Sequence, residues 1–171
     1  MKTLLLSSMV ALLASFPALA EIPLKLELLA PKEPVTLNKN DLEKPGRGGA
    51  APRVGINLSY RITNTGKKDI TFNHGRDDTT NLLVIKGPGA IEVPYNGPMT
   101  ADYRMGAPLT IKPGESKEFE IVGLKYGTRD MSYWSINKAG DYEVSMTYRT
   151  RIGGEGFFLK SNAAKFSVVV K

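Results

Sequence analysis

One short segment contains the residue types from which an active site could be built. His74, the only histidine of the chain, is followed closely by Asp77 and Asp78. A serine hydrolase needs a histidine base, an acid that orients it and a nucleophilic serine. The chain has no Gly-x-Ser-x-Gly motif to present such a serine. A single histidine beside Gly75 is more typical of a turn, so we expect no catalytic residues and no enzyme activity.

Metal and cofactor sites are not indicated either. Zinc takes three or four His, Cys or acidic ligands, and the chain offers one histidine and no cysteine. Asp77 and Asp78 are adjacent and lack the Asp-x-Asp-x-Asp-Gly spacing of a calcium loop. Gly46-Arg-Gly-Gly49 resembles a phosphate loop in glycine content only, because no Lys-Ser or Lys-Thr pair follows it. We therefore expect no metal and no cofactor.

The charge of the chain is modest, with 23 basic and 17 acidic residues and a net charge of +6. The basic residues are most concentrated in residues 44–53, which contain no aromatic residue. A nucleic-acid interface usually has a denser basic stripe with aromatic side chains that stack on bases. We expect residues 44–53 to be a solvated loop, and we expect no nucleic-acid partner.

The N-terminal residues have the pattern of a secretory signal peptide. Lys2 precedes an apolar stretch over residues 4–13, and Ala18-Leu19-Ala20 provides a cleavage site, so residues 1–20 are predicted to be removed near Ala20. The remaining chain would carry a net charge of +5. No later segment is long and apolar enough to span a bilayer. We expect a periplasmic or secreted protein without stable membrane insertion.

The elements that would position any site are β-strands. Apolar and polar residues alternate in at least four segments, which are residues 22–28, 54–63, 142–148 and 164–170. Period two places one face of a strand in a core and the other in water, as in antiparallel sheets. We predict that residues 21–171 form a single all-β domain, an antiparallel β-sandwich of about seven to nine strands, with a small closed barrel as the alternative. Residues 31–53 are predicted to be a long loop, either functional or flexible.

Two parts of the sequence carry a family resemblance. Residues 110–121, Thr-Ile-Lys-Pro-Gly-Glu-Ser-Lys-Glu-Phe-Glu-Ile, and residues 139–148, Ala-Gly-Asp-Tyr-Glu-Val-Ser-Met-Thr-Tyr, resemble the E and F strands of bacterial immunoglobulin-like domains. In those domains a tyrosine placed like Tyr142 bonds the backbone upstream. Residues 62–72, Ile-Thr-Asn-Thr-Gly-Lys-Lys-Asp-Ile-Thr-Phe, resemble the intracellular proteinase inhibitor (BsuPI-like) family. The resemblance covers roughly residues 54–150 and implies an immunoglobulin-like β-sandwich that acts through exposed loops.

In that topology the loops gather at two opposite ends. Residues 64–68, 94–108 and 151–156 would lie at one end, and residues 31–53, 74–79 and 123–138 at the other. The second end would hold a candidate binding surface of residue types enriched in protein interfaces, namely Tyr126, Arg129, Met131, Tyr133 and Trp134. The alternative is that these aromatic side chains close the base of the core. Weaker candidates at the first end are Tyr95, Tyr103 and Met105.

These patterns favour an exported, non-catalytic binding module that recognises another envelope or secreted protein, with inhibition of a protease as the most specific version. The alternative from another class is a carbohydrate-binding or accessory module of an enzyme acting on envelope polymers, because exposed aromatic rings could stack on sugars. A third alternative is an assembly subunit or chaperone with a sheet edge open to strand addition. Pro23 and Lys25 argue against it, because such residues protect the edge of a first strand.

Overall fold

The computed structural model describes residues 22–43, 54–99 and 101–171. The predicted signal peptide and the basic residues 44–53 lie outside this part of the chain. Within it the protein is all-β, with several antiparallel sheets and one five-residue helix, α1 (Lys39–Glu43). No helix among the described residues is long and apolar enough to span a membrane.

The described residues form thirteen strands. They are β1 (Leu24–Leu29), β2 (Val35–Leu37), β3 (Leu58–Asn64), β4 (Ile70–His74), β5 (Thr80–Lys86), β6 (Ala90–Val93), β7 (Ala107–Ile111), β8 (Ser116–Ile121), β9 (Lys125–Thr128), β10 (Ser132–Ile136), β11 (Gly140–Ile152), β12 (Glu155–Lys160) and β13 (Ala164–Val170).

These strands are arranged in three sheets. One has the order β1-β3-β8, and a second contains only β4 and β7. The largest has the order β2-β13-β11-β5-β9-β10-β6, and β12 also pairs with β11. The thirteen-residue strand β11 organises this sheet, because it pairs with β5 along one edge and with β13 and then β12 along the other. The pairing of β2 with β13 is parallel.

The alternation in the sequence produces one core shared by all three sheets. In β3 the apolar residues Leu58, Tyr60 and Ile62 are buried, while the intervening residues are only partly so. Tyr148 of β11 is fully buried where the sheets meet, with its ring centroid 5.9 Å from that of Tyr60 and 6.3 Å from that of Phe72 in β4. Each such aromatic pair contributes about 0.5–1.5 kcal/mol beyond the burial of area.

The predicted hydrogen bond of Tyr142 is present. Its side chain is buried, and its hydroxyl lies 2.7 Å from the carbonyl oxygen of Lys138, four residues upstream. The same hydroxyl also contacts the carbonyl of Pro88, in the turn between β5 and β6. This one side chain therefore ties the start of β11 to a turn more than fifty residues earlier.

The predicted number of seven to nine strands is too low, because two segments predicted to be irregular are partly regular. Within residues 31–53 the chain forms β2 and α1, and within residues 123–138 it forms the hairpin β9–β10. β2 has only three residues, and Gly127 interrupts the alternation in β9. Segments this short give little periodicity to detect.

Candidate functional site

Three of the five residues of the first predicted binding surface do not lie on the surface. Tyr126, Tyr133 and Trp134 are buried, with at most 9% of each side chain exposed. Trp134 Nε1 donates a hydrogen bond to the carbonyl of Leu83 at 3.0 Å, within the sheet of β5 and β10. The prediction of an exposed surface is corrected on this point: Tyr126 and Trp134 belong to the core, as in the alternative that these rings close it, whereas Tyr133, the neighbour of Trp134 in β10, is buried on the other face of the strand.

The other two members of that surface are half-buried. Met131 and Arg129 belong to the turn between β9 and β10. Arg129 directs its guanidinium group to Asp77, with Nε 2.5 Å from Oδ1 and Nη2 2.6 Å from Oδ2. This bidentate geometry is the stronger form of a carboxylate ion pair. Arg129 is therefore a structural partner of residues 74–79.

The weaker candidates are the exposed ones. Tyr95 is 40% exposed, Tyr103 60% and Met105 64%. They share one segment with Met99, which is 55% exposed. We call this segment the aromatic–methionine loop, residues 94–99 and 101–106. Four large apolar side chains exposed on a single loop are more than scattered surface hydrophobicity requires.

Two aspartates hold the second half of this loop. The Asp77 carboxylate accepts a hydrogen bond from the backbone N–H of Arg104 at 2.5 Å, and the Asp77 N–H donates to the Arg104 carbonyl at 3.1 Å. The Asp78 carboxylate accepts from the N–H of Gly106 at 2.6 Å and from the hydroxyl of Tyr103. The exposed residues Tyr103 and Met105 therefore alternate along the chain with Arg104 and Gly106, whose backbone N–H groups are bonded by Asp77 and Asp78.

Arg129 completes this connection. Besides Asp77 it donates to the backbone carbonyl of Asp102, so one guanidinium group binds both the loop and its support. Only 8% of the Asp77 side chain and 21% of the Arg129 side chain are exposed. The hydrogen bonds from Arg129 and from the Arg104 backbone lower the pKa of Asp77 to about 2. Burial alone would raise the pKa of Asp78, but the hydrogen bonds from Tyr103 and Gly106 outweigh it and lower that pKa.

The contacts correct the predicted distribution of loops over two ends. Residues 94–108 were expected at one end and residues 74–79 and 123–138 at the other. Instead, Asp77, Asp78 and Arg129 bind the aromatic–methionine loop directly, so the three segments lie together. The exposed apolar side chains and the charge cluster therefore form one site.

Strained backbone surrounds the same region. The described residues other than glycine with positive φ are Arg76, Leu124, Arg129 and Asp130, with φ between 52° and 58°. Arg129 and Asp130 are consecutive in the β9–β10 turn, where Asn-Gly is preferred because both positions need left-handed backbone. Such strain costs of order 1–3 kcal/mol per residue and collects at functional sites. Here Arg129, one of these residues, is the residue that binds Asp77 and the Asp102 carbonyl.

His74 lies beside this cluster in an aromatic environment. Its Nδ1 is 2.8 Å from the hydroxyl of Tyr148, and its ring centroid is 4.1 Å from that of Phe119. Burial lowers the pKa of His74. The hydrogen bonds of Asp77 and Asp78 described above go to the loop and to Arg129, so neither aspartate is used to orient the imidazole.

A cavity of about 240 Å³ opens next to His74. Its lining includes Tyr60, Asn81 and Asp130. The buried side-chain oxygen of Asn81 has no hydrogen-bond partner among the described residues. In the same part of the chain, no three His, Cys, Asp or Glu side chains are placed together to hold a metal ion.

The connection between Asp77 and Arg129 was not predictable from the sequence. The two residues are separated by 52 positions, and no motif links them. The clustering of Tyr95, Met99, Tyr103 and Met105 within one loop was the available signal.

In comparisons with known proteins, no family model and no curated protein matches this chain.

Proposed function

We propose that this protein is an exported, non-catalytic binding module that recognises another envelope or secreted protein through the aromatic–methionine loop. The observation that carries the proposal is the exposure of Tyr95, Met99, Tyr103 and Met105 on one loop. Tyrosine and methionine are enriched at protein interfaces, and a rigid ring covers area at little cost in conformational entropy.

The hydrogen bonds that hold the aromatic–methionine loop in place also favour binding. Asp77, Asp78 and Arg129 fix the backbone of residues 102–106 before any partner arrives. A loop that is already ordered loses less conformational entropy when it binds, so more of the contact energy becomes affinity. A loop that inserts into a protease cleft needs the same property, and this supports the inhibitor version of the proposal.

The proposal includes an immunoglobulin-like sandwich as the scaffold. Three features support it: β11 lies between β5 and β13, β2 pairs in parallel with β13, and Tyr142 bonds the backbone four residues upstream. Loops held on such a scaffold are common recognition sites. Export rests on the signal-peptide pattern of residues 1–20.

The proposal can be tested by site-specific photo-cross-linking in the source organism. A photo-reactive phenylalanine analogue is introduced at Met99 or Met105, whose side chains make no hydrogen bond in the loop. The matched controls carry it at Val84 or Val169, which are 48% and 38% exposed outside the loop. We expect one discrete protein adduct from both loop positions, none from the controls, and recovery of the adducts in the periplasmic or secreted fraction.

Three results would contradict the proposal. Equal adducts from loop and control positions would show that the loop is not the binding surface. Loss of the signal to glycan-degrading enzymes but not to proteases would favour the carbohydrate-binding alternative, in which Tyr95 and Tyr103 stack on sugar rings. Recovery of all adducts from the cytoplasm would reject export.

A further inference from the structure

A groove of about 1340 Å³ separates two strand edges, those of β1 and β12. Among the described residues, β1 pairs only with β3 and β12 only with β11, so each has one edge without a neighbouring strand. The groove follows residues 22–27 on one side and residues 155–161 on the other. An unpaired edge presents backbone N–H and C=O groups that can bond another strand.

The side chain of Asn162 shows which backbone groups of β1 face this groove. The Leu28 N–H donates to Asn162 Oδ1 at 2.9 Å, and Asn162 Nδ2 donates to the Leu28 carbonyl at 3.3 Å. A side-chain amide thus takes the place that a backbone amide of a neighbouring strand would occupy. In an antiparallel ladder both backbone groups of a residue point to the same side, and the direction alternates along the strand. The N–H and C=O of Leu26 therefore also point away from β3 and into the groove.

Part of the wall of the groove is apolar, and Lys25, Glu27, Glu155 and Lys160 also line it. The apolar part includes Ile152, Phe157 and Leu159, of which Leu159 is buried and belongs to the core. The six residues 22–27 along the groove, of which four belong to β1, span roughly 20 Å, the length of a typical strand. An extended segment in this position would direct every second side chain to the apolar wall and the others to solvent.

The open end of the groove carries positive charge. There a second, apolar depression is lined by Ile22, Pro23, Ile70 and Ile152 and bordered by Lys67 and Lys68. Both lysines are exposed, and neither forms an ion pair within the described residues. Opposite charge at this position would be favoured, because it would meet two cations beside an apolar surface.

We propose that an extended segment of a partner protein adds as a strand to the free edge of β1 at Leu26, in the groove beside β12. Its alternate apolar side chains contact Ile152, Phe157 and Leu159, and an acidic residue at its outer end lies beside Lys67 and Lys68. This second surface is independent of the aromatic–methionine loop. Strand addition supplies affinity through backbone hydrogen bonds and specificity through the pockets for alternate side chains.

The two residues that were expected to protect this edge do not cover it. The carbonyl of Pro23 is bonded to the N–H of Thr65 at 2.8 Å, on the β3 side. The ammonium group of Lys25 bonds Glu27 at 2.7 Å, on the same strand. On either side of Leu26, the Leu24 N–H bonds the Ile22 carbonyl at 2.7 Å and Asn162 bonds both backbone groups of Leu28. The sequence argument against strand addition therefore fails at Leu26 only.

The test uses a fluorescein-labelled ten-residue peptide that alternates valine and threonine and ends in two aspartates. We expect saturable binding to the purified protein by fluorescence anisotropy, and slower hydrogen exchange at the amide of Leu26 in the complex. Lys67→Glu combined with Lys68→Glu should weaken binding by roughly tenfold. The matched control is Lys32→Glu combined with Lys171→Glu, which makes the same change of charge at exposed positions outside the groove and should leave the affinity unchanged.

Two further peptides sharpen the test. Replacing the alternate valines by prolines removes backbone donors and should abolish binding, whereas replacing the two aspartates by lysines should weaken it as the lysine variant does. The proposal is overturned if the parent peptide does not bind, if the proline peptide binds equally, or if both charge-reversed variants bind alike. It is also overturned if Leu26 is protected only as the protein concentration rises, because the groove would then pair with a second copy of the chain.

Discussion

At the residue scale, the hydroxyl of Tyr142 joins two distant turns. The ring is buried against Phe166, with centroids 5.5 Å apart, and the hydroxyl contacts the carbonyls of Lys138 and Pro88. Loss of this hydroxyl removes one donor that serves two part-buried carbonyl groups. The free-energy cost is then about that of one or two hydrogen bonds.

We predict that Tyr142→Phe lowers the free energy of unfolding by about 1–2 kcal/mol, because the packing of the ring is kept and only the hydrogen bond is lost. Urea denaturation at neutral pH measures this directly. The matched control is Tyr95→Phe, which removes an exposed hydroxyl bonded to the Pro98 carbonyl and should change stability much less. Equal effects of the two substitutions would show that the Tyr142 hydroxyl has no special structural role.

Local hydrogen bonds such as this one could be predicted from the sequence. Asn64 is another case: the sequence Asn64-Thr-Gly66 predicts a tight reversal, and the buried Asn64 side chain bonds Gly66 and Lys68 there. Its third bond, to the Ile111 carbonyl 47 positions away, is not local. The ion pair of Arg129 with Asp77 could not be predicted. Its partners lie on different turns, and only the folded sheet brings those turns together.

At the element scale, the aromatic–methionine loop depends on the turn of residues 76–78 for its conformation. Ionised Asp77 accepts hydrogen bonds from Arg129 and from the backbone of Arg104. Protonation of the Asp77 carboxylate removes its negative charge and one of the oxygen atoms that accept hydrogen bonds from Arg129 and the Arg104 backbone. The conformation of the loop is therefore linked to the titration of Asp77, alongside that of Asp78, which also binds the loop.

We predict that this contact makes stability depend on acid pH. The pKa of Asp77 is about 2 in the folded protein and lies below its ordinary value of 3.8. A carboxyl group whose pKa is lowered by folding stabilises the protein above its unfolded pKa, and this contribution is lost as the pH falls from about 4 toward 2. Compared with the parent, Asp77→Asn should be less stable at pH 7 and should lose less stability between pH 4 and 2, as measured by urea denaturation at each pH.

The control for this prediction is Asp69→Asn, which removes an exposed carboxylate for which no hydrogen bond is found within the described residues. It should follow the pH profile of the parent. A profile of Asp77→Asn that is parallel to that of the parent would mean that the ion pair with Arg129 is not maintained in solution.

Strands with regular alternation were predictable, and short ones were not. The segments of β1, β3, β11 and β13 were all identified from period two. The hairpin β9–β10 was not identified, although it buries Trp134 and positions Arg129. A reversal with left-handed backbone is usually marked by glycine or asparagine. Here Arg129 and Asp130 adopt that backbone instead, so the sequence of the turn gives no such signal.

At the scale of the whole molecule, the three sheets share one core, and no cysteine is present to join them covalently. Tyr148 contacts an aromatic ring in each of the other two sheets, and Asn162 bonds the edge of β1 from the segment between β12 and β13. The all-β class follows from the alternation alone. How the strands divide among three sheets depends on pairings between distant residues, which a single sequence does not specify.

A core of this kind should unfold in one cooperative transition. Trp134, the only tryptophan, lies in the largest sheet, and its buried indole reports on the core. Far-UV circular dichroism reports on all strands, including those of the two smaller sheets. We predict that the two signals give superimposable urea transitions with one midpoint, because loss of either smaller sheet would expose the rings packed on Tyr148. A circular dichroism transition that precedes the loss of Trp134 fluorescence would show instead that β1-β3-β8 or β4-β7 unfolds as a separate unit.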